Sequence, residues 1–140
     1  LSNIFNQLKF LKLKHLNPIN LEIDKILKER LQFFELNGEI EKCNIKIDKE
    51  ELIRIFDNIL SNAKKYHKDY IKVSLKNFVF EVRNDGKIKN LKKIKTKFFR
   101  ENENEGGFGI GLFIVDEICK KYGFEFEITS DKEVIVKICF

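Results

Sequence analysis

The run Gly106-Gly107-Phe108-Gly109-Ile110-Gly111-Leu112, followed at once by the apolar-periodic stretch Phe113-Ile114-Val115-Asp116-Glu117-Ile118-Cys119, constrains this chain more than any other segment. Alternating glycines let a backbone turn tightly and bring its N–H groups close to an anion, and a helix starting there adds the positive end of its dipole. The stretch therefore has the form of a phosphate cradle. It has equally the form of a flexible loop ahead of a glycine-rich helix start, because alternating glycines alone are a weak signal. Its partners elsewhere in the chain decide between the two.

Hydrophobic periodicity lays out those partners. Leu1 to Leu16 carries Ile4, Phe5, Leu8 and Leu11 at helical spacing and stops before Asn17-Pro18, as the last turns of a longer helix would. After Pro18, Leu21, Ile23, Ile26, Leu27, Leu31 and Phe34 mark a second helix that ends near Asn37-Gly38. Glu39 to Ile47 alternates and reads as one or two short strands, with Asp48 as an N-cap and Glu51 at the capping-box position behind it. Glu50 to Tyr66 is the strongest helix, its apolar face made by Leu52, Ile55, Phe56, Ile59, Leu60 and Ala63. Ile71 to Leu75 and Phe78 to Val82 form a hairpin across Lys76-Asn77, and Asn84-Asp85-Gly86 breaks the second strand.

From Lys87 to Gly106 runs a polar connection longer than compact domains usually hold unless the loop is functional, so a lid is expected there. A helix from Ile110 to about Tyr122 ends at Gly123, and Phe124 to Thr129 with Val134 to Cys139 closes the chain as another hairpin. The order helix, strand, helix, hairpin, lid, helix, hairpin implies an α/β (α+β) fold with a mixed sheet and helices on one side. At 140 residues and 43% hydrophobic the chain is expected to be one domain with a real core. It starts at Leu1 and is expected to be a piece of something longer.

Charge narrows the function classes. The net +5 is too mild to imply nucleic acid, and the six lysines from Lys87 to Lys97 lack interleaved aromatics for stacking bases, so no nucleic-acid partner is expected. A basic interaction domain using those lysines is the rival reading from another class. Cys43, Cys119 and Cys139 are far apart in apolar runs and read as buried small hydrophobes rather than a zinc or disulfide set. No run of about 18 apolar residues is present, so no membrane contact by this part of the protein is expected.

Two asparagines in the middle of the strongest helix require a reason, since their side chains compete for backbone hydrogen bonds. Asn58 and Asn62 are four apart and share a face, and Lys65 continues that stripe. Amide oxygens can ligate a hard Mg²⁺ that fills its remaining positions with water and phosphate oxygens, and a nearby lysine can meet those phosphates. Two asparagines on a wet helix face are the bland alternative. Val82-Arg83-Asn84-Asp85-Gly86 puts a short polar side chain at a strand end beside a glycine, which is a turn or a place where a purine amine is read and the ring approaches closely.

The ordered stretches resemble the catalytic ATP-binding domain of sensor histidine kinases, in the GHKL superfamily, over nearly the whole chain. Ile55-Phe56-Asp57-Asn58-Ile59-Leu60-Ser61-Asn62-Ala63-Lys64-Lys65-Tyr66 looks like the family's asparagine box, and Val82 to Ile88 stands where the first glycine box belongs. Phe98-Phe99-Arg100 resembles the phenylalanine box of the lid, and Gly107 to Leu112 the second glycine box. The resemblance implies a two-layer α/β sandwich of the Bergerat type that binds ATP·Mg²⁺ under a mobile lid at about 87–106. Residues 1–17 would be the end of the dimerisation helix with its linker, and 18–140 the catalytic domain.

By position, the resemblance makes Asn62 the Mg²⁺ ligand, puts Asn58 beside the metal and phosphates, gives Lys65 a phosphate contact and packs Tyr66 near the nucleoside. Lys65 and Asn58 are the catalytic pair it implies. Gly107, Gly109 and Gly111 would carry the triphosphate, with Ile110, Leu112, Gly86 and Ile88 completing the ATP site and Arg100 reaching it from the lid. The family usually has aspartate where Asn84 stands; its amide oxygen would accept from the adenine amine without charge, or Asp85 would share the role. Ile88 replaces the box's second glycine.

ATP hydrolases of the superfamily generally carry glutamate four residues before the metal asparagine as a base for water. Asn58 stands there and cannot accept a proton, which favours phosphotransfer over hydrolysis. The implied enzyme is a protein histidine kinase in two-component signalling. Its partners would be an upstream dimerisation and phosphoacceptor domain and a response regulator. The parent is expected to be a homodimer in the bacterial inner membrane, with this part cytoplasmic, monomeric and unable to autophosphorylate alone. His15 and His67 read as surface histidines, not acceptors. A degenerate nucleotide-sensing module without phosphotransfer is the alternative, motivated by Asn84 and Ile88.

Overall fold

Strand pairing overrides helical periodicity directly after Pro18 in the computed structural model, which describes residues 17–87 and 108–140. Ile19–Glu22 forms β1, antiparallel to β3 (Asn44–Ile47), with Ile19 opposite Ile47 and Leu21 opposite Ile45. The helix expected from Pro18 onward is thereby shortened to α1, Ile23–Phe33. Glu22 supplies no side-chain cap; instead the Ile23 N–H donates to the Cys43 carbonyl at 2.9 Å, and the Asp24 carboxylate accepts from the Cys43 N–H at 3.1 Å. The loop before β3 thus satisfies the helix start.

The other elements are β2 (Gly38–Ile40), α2 (Lys49–Tyr66), β4 (Ile71–Lys76), β5 (Val79–Asn84), α3 (Phe108–Tyr122), β6 (Glu125–Ser130) and β7 (Val134–Cys139). Five strands form one sheet in the order β2-β4-β5-β7-β6, in which β2 runs parallel to β4 and the other three pairings are antiparallel. Strand alternation sends Val73, Leu75, Phe80, Val82, Val134, Val136 and Ile138 to a buried face. Leu52, Ile55, Phe56, Ile59 and Leu60 of α2 and Ile114, Val115, Ile118 and Cys119 of α3 are buried with them, and the Phe56 and Phe80 rings meet edge-on at 4.9 Å. The opposite face carries Lys72, Glu81, Arg83 and Lys137, with Arg83 paired to Glu81 at 2.6 Å. The fold is the expected two-layer α/β sandwich, mostly antiparallel and with helices on one face.

Local chemistry sets the turns. Asn77 and Phe78 both adopt positive φ, 52° and 63°, so the first hairpin turns on these two residues, one position later than Lys76-Asn77, because Lys76 pairs with Val79. Gly123, at φ +75°, ends α3.

Asp48 caps α2 as expected, its Oδ1 accepting from the Glu51 N–H at 3.1 Å. Glu51 does not return the bond. Its fully buried carboxylate accepts from Tyr122 Oη and Lys121 Nζ of α3, and the Asp48 N–H donates to Tyr122 Oη at 3.1 Å. Half of the capping box is thus taken over by another helix, which ties the start of α2 to the end of α3.

At the other end of α2, His67 Nδ1–H donates to the Lys64 carbonyl at 2.9 Å, a capping role for a residue read as a surface histidine. Cys43 and Cys119 are buried, and burial, helped by the charge of Asp116, pushes the Cys119 thiol up to about 12. Among the described residues no helix is long and apolar enough to cross a membrane. Residues 1–16, His15 among them, and all of the expected lid except Lys87 lie outside the described residues.

Candidate functional site

α2 and α3 run antiparallel, and beside the last turns of α2 they leave a cavity against the sheet. Ile59, Asn62, Ala63 and Tyr66 of α2 line it, with Val82 and Asn84 from β5, Val134 and Val136 from β7, and Leu112 from the second turn of α3. Apolar walls with two amides and a phenol suit a flat ring that is apolar on its faces and polar at its edge.

Asn62 and Asn58 are both half-buried on one side of α2, as their spacing requires. Asn62 Nδ2 is buried and, among the described residues, is the one buried side-chain nitrogen or oxygen without a hydrogen-bond partner. Leaving such a group unmet costs about 1–3 kcal/mol, so a binding role for this amide is physically sensible. Asn58 sits against α3: a Cβ on Gly111 would come 3.1 Å from Asn58 Oδ1. Glycine inside a helix costs up to about 1 kcal/mol relative to alanine, and here it lets the asparagine helix approach the start of α3. That start lies at Phe108, two residues earlier than expected, so Gly109 and Ile110 fall among the first residues of the helix, whose backbone N–H groups have no partner inside it, and Gly111 directly follows them.

The end of β5 completes the site. Gly86 is wedged against the last turn of α2, where an added Cβ would lie 2.2 Å from the Tyr66 carbonyl oxygen. Its N–H donates at 2.8 Å to Asn84 Oδ1, inside the fold. The Asn84 oxygen, expected to meet an adenine amine, is thus already engaged within the chain. Asp85 points elsewhere: its carboxylate accepts from the N–H groups of Lys68 at 2.9 Å, Asp69 at 2.8 Å and Tyr70 at 3.2 Å. Burial pushes this carboxyl up, but the three backbone donors together outweigh it and hold the group below the ordinary carboxylate range. Asp85 braces the loop after α2 and does not line the cavity.

The structure therefore brings together Asn58, Asn62, Tyr66, Asn84, Gly86, Gly111 and Leu112. Lys65 is exposed, with its Nζ 5.4 Å from the centre of the Tyr66 ring, and does not line the cavity. Ile88, Arg100 and Gly107 lie outside the described residues, as do all the basic-patch lysines but Lys87.

One profile, described as histidine kinase-, DNA gyrase B-, and HSP90-like ATPase, matches residues 47–140, well over half of the chain and all of this cavity. The chain belongs to that ATPase family. Over 122 residues this ATPase domain is 30% identical to the sensor histidine kinase CssS of Bacillus subtilis (strain 168), an alignment covering 80% of the chain and 27% of CssS. The chain therefore spans about a quarter of that relative's length. In fold it is similar to the histidine kinase AdeS of Acinetobacter baumannii, with a TM-score of 0.76, 15% identity, and coverage of 99% of this chain and 75% of that one. The mycobacterial sensor histidine kinase MprB is also similar, at a TM-score of 0.62, 19% identity, and 89% and 95% coverage. At these identities the structural likeness is one of fold.

Some residues that line the cavity carry no more than a core signal in the sequence. Ile59 and Ala63 share the helical stripe of Asn62 and Tyr66, a signal that could have been used. Val134 and Val136 reach the cavity through the pairing of β7 with β5, Val134 opposite Asn84 and Val136 opposite Val82, which no local pattern announces. The bidentate Arg30–Asp57 pair, 2.8 Å on both arms, was likewise missed; it joins α1 to α2 one residue before Asn58.

Proposed function

We propose that this ATPase domain binds ATP·Mg²⁺ and donates the γ-phosphate to a histidine on an upstream dimerisation domain, as the phosphodonor of a two-component sensor kinase. The observation that carries the reading is the meeting of Asn62, with its unpartnered buried amide nitrogen, and Asn58, packed on Gly111 at the start of α3, beside the cavity. Among the described residues no group of three or more His, Cys, Asp or Glu could hold a metal by itself. Turned end for end, the Asn62 amide puts an oxygen where its unpartnered nitrogen stands, and one such oxygen fits Mg²⁺, which accepts few protein ligands and completes its shell with phosphate oxygens and water. When bound, the ion neutralises charge on the phosphates.

The chain's own residues bind and orient. The apolar walls and Tyr66 hold the base, and the first-turn N–H groups of α3, reached through Gly107, Gly109 and Gly111, receive the phosphates. Lys65 swings in from the surface, and Arg100 and Ile88 belong to the lid side. Asn58 holds position without taking a proton from water, so transfer to a histidine nitrogen is favoured over hydrolysis. The acceptor domain, a response regulator, a dimeric membrane-anchored parent and a cytoplasmic setting for this part follow from the same reading. Residues 1–17 would then be the tail of the dimerisation helix and 18–140 the catalytic domain, monomeric and silent alone.

The experiment supplies this chain with γ-labelled ATP, Mg²⁺ and a separately made dimerisation domain from the same parent. Acid-labile, alkali-stable label on that domain is expected, with none when Asn62→Ala replaces the chain or when the acceptor is omitted. Nucleotide binding without any such label would instead support a nucleotide-sensing module, the reading favoured by the engaged oxygen of Asn84.

A further inference from the structure

Gly86 dictates which end of the Asn84 amide faces the cavity. Its N–H donates to Asn84 Oδ1 at 2.8 Å, and turning the amide end for end would set an NH₂ against that N–H. Gly86 cannot back away, because the Tyr66 carbonyl oxygen already closes the space behind it, 2.2 Å from where a Cβ would stand. Asn84 is 4% exposed and lines the cavity, so the end left for a ligand is Nδ2, which can only donate. A carboxylate held by the same N–H would present an acceptor instead.

Purines differ at the edge such a group reads. A 6-aminopurine offers an exocyclic donor beside the ring acceptor N1, whereas a 6-oxopurine offers a carbonyl acceptor at position 6. A donor at residue 84 pairs with N1 of the first or O6 of the second and rejects neither. We infer that Asn84 makes this site permissive toward the base, so that it takes 6-oxopurine nucleotides alongside adenine nucleotides. The inference rests on the nucleotide-site reading above and adds to it the class of base.

The test is an equilibrium titration of the 140-residue chain with ADP and IDP in the presence of Mg²⁺, repeated on Asn84→Asp. IDP lacks the 2-amino group of guanine and isolates position 6. The unsubstituted chain is expected to bind IDP within about tenfold of ADP, and Asn84→Asp to raise the ADP preference by at least about tenfold, since its acceptor pairs with the 6-amino group and opposes O6. A wider gap in the unsubstituted chain, or a preference unmoved by Asn84→Asp, overturns the inference. Purine riboside diphosphate, which keeps N1 and lacks the 6-amino group, gives a measurement that needs no variant. It is expected to bind within about fivefold of ADP, and a larger loss overturns donation to N1. If no nucleotide binds at all, the nucleotide-site reading itself fails, and this inference with it.

Discussion

Gly86 and Gly111 would each gain a methyl group on mutation to alanine, and their neighbours decide opposite outcomes. At Gly86 the new Cβ meets a backbone oxygen 2.2 Å away, which belongs to the last turn of α2 and cannot swing aside. Gly86→Ala is expected to lower stability by about 1–3 kcal/mol, read as a fall in the urea midpoint. At Gly111 the obstacle is Asn58 Oδ1 at 3.1 Å, the tip of a side chain that can give way. Gly111→Ala is expected to leave stability equal or raised by up to about 1 kcal/mol, through helix propensity, while nucleotide affinity falls because Asn58 is displaced. Equal losses of stability in the two variants would contradict this account. The sequence puts Gly86 in a turn and Gly111 in a helix, but it does not show the obstacles, Tyr66 and Asn58, which lie across the fold.

At the scale of elements, the junction between the start of α2 and the end of α3 carries two expectations. Asp48→Ala removes the cap and should cost about 1 kcal/mol, measured by thermal or urea unfolding. Tyr122, in the same junction, titrates at about 12, raised first by burial and then by the bond it donates to Glu51. Its folded pKa lies above the unfolded value near 10, so the stability it lends is complete below about pH 10 and is lost as pH rises toward 12. Tyr122→Phe should flatten that alkaline loss in unfolding midpoints measured from pH 9 to 12. An unchanged alkaline slope would remove Tyr122 from the account.

The cap at Asp48 was readable because its partner is three residues away. The partners of Glu51 were not, because Lys121 and Tyr122 lie 70 and 71 positions along the chain. The same limit explains β1. Ile19–Glu22 fits a helical stripe locally, and only Ile45 and Ile47 of β3 pull it into a strand.

For the whole molecule, the carboxylates of Asp85 and Glu133 give acid sensitivity. The Tyr70 hydroxyl bond first, and Arg83 with it, hold Glu133 below its ordinary range, and backbone donors hold Asp85 below its own. Both lend stability that is present above their unfolded values near 4 and lost as pH falls through the lower folded ones. Asp85→Asn should therefore reduce the loss of stability on acidification below about pH 4, relative to the unsubstituted chain.

The convergence of the candidate site was legible in outline, since Asn58, Asn62 and Gly111 each belong to a local motif whose chemistry can be argued from the sequence. The cavity walls from β7 and the orientation of the Asn84 amide were not, because both are set by pairings between distant segments. The central claim is that these segments form one Mg²⁺-assisted nucleotide site. Calorimetric titration of the chain with ADP and a non-hydrolysable ATP analogue, with and without Mg²⁺, addresses it most directly. Binding in the micromolar range that strengthens with Mg²⁺ and disappears in Asn62→Ala is expected. That variant should unfold at a temperature no lower than that of the unsubstituted chain, because Asn62 Nδ2 makes no internal bond to lose and its removal relieves a buried unmet group. Absence of binding, or an affinity that Asn62→Ala leaves untouched, would contradict the account.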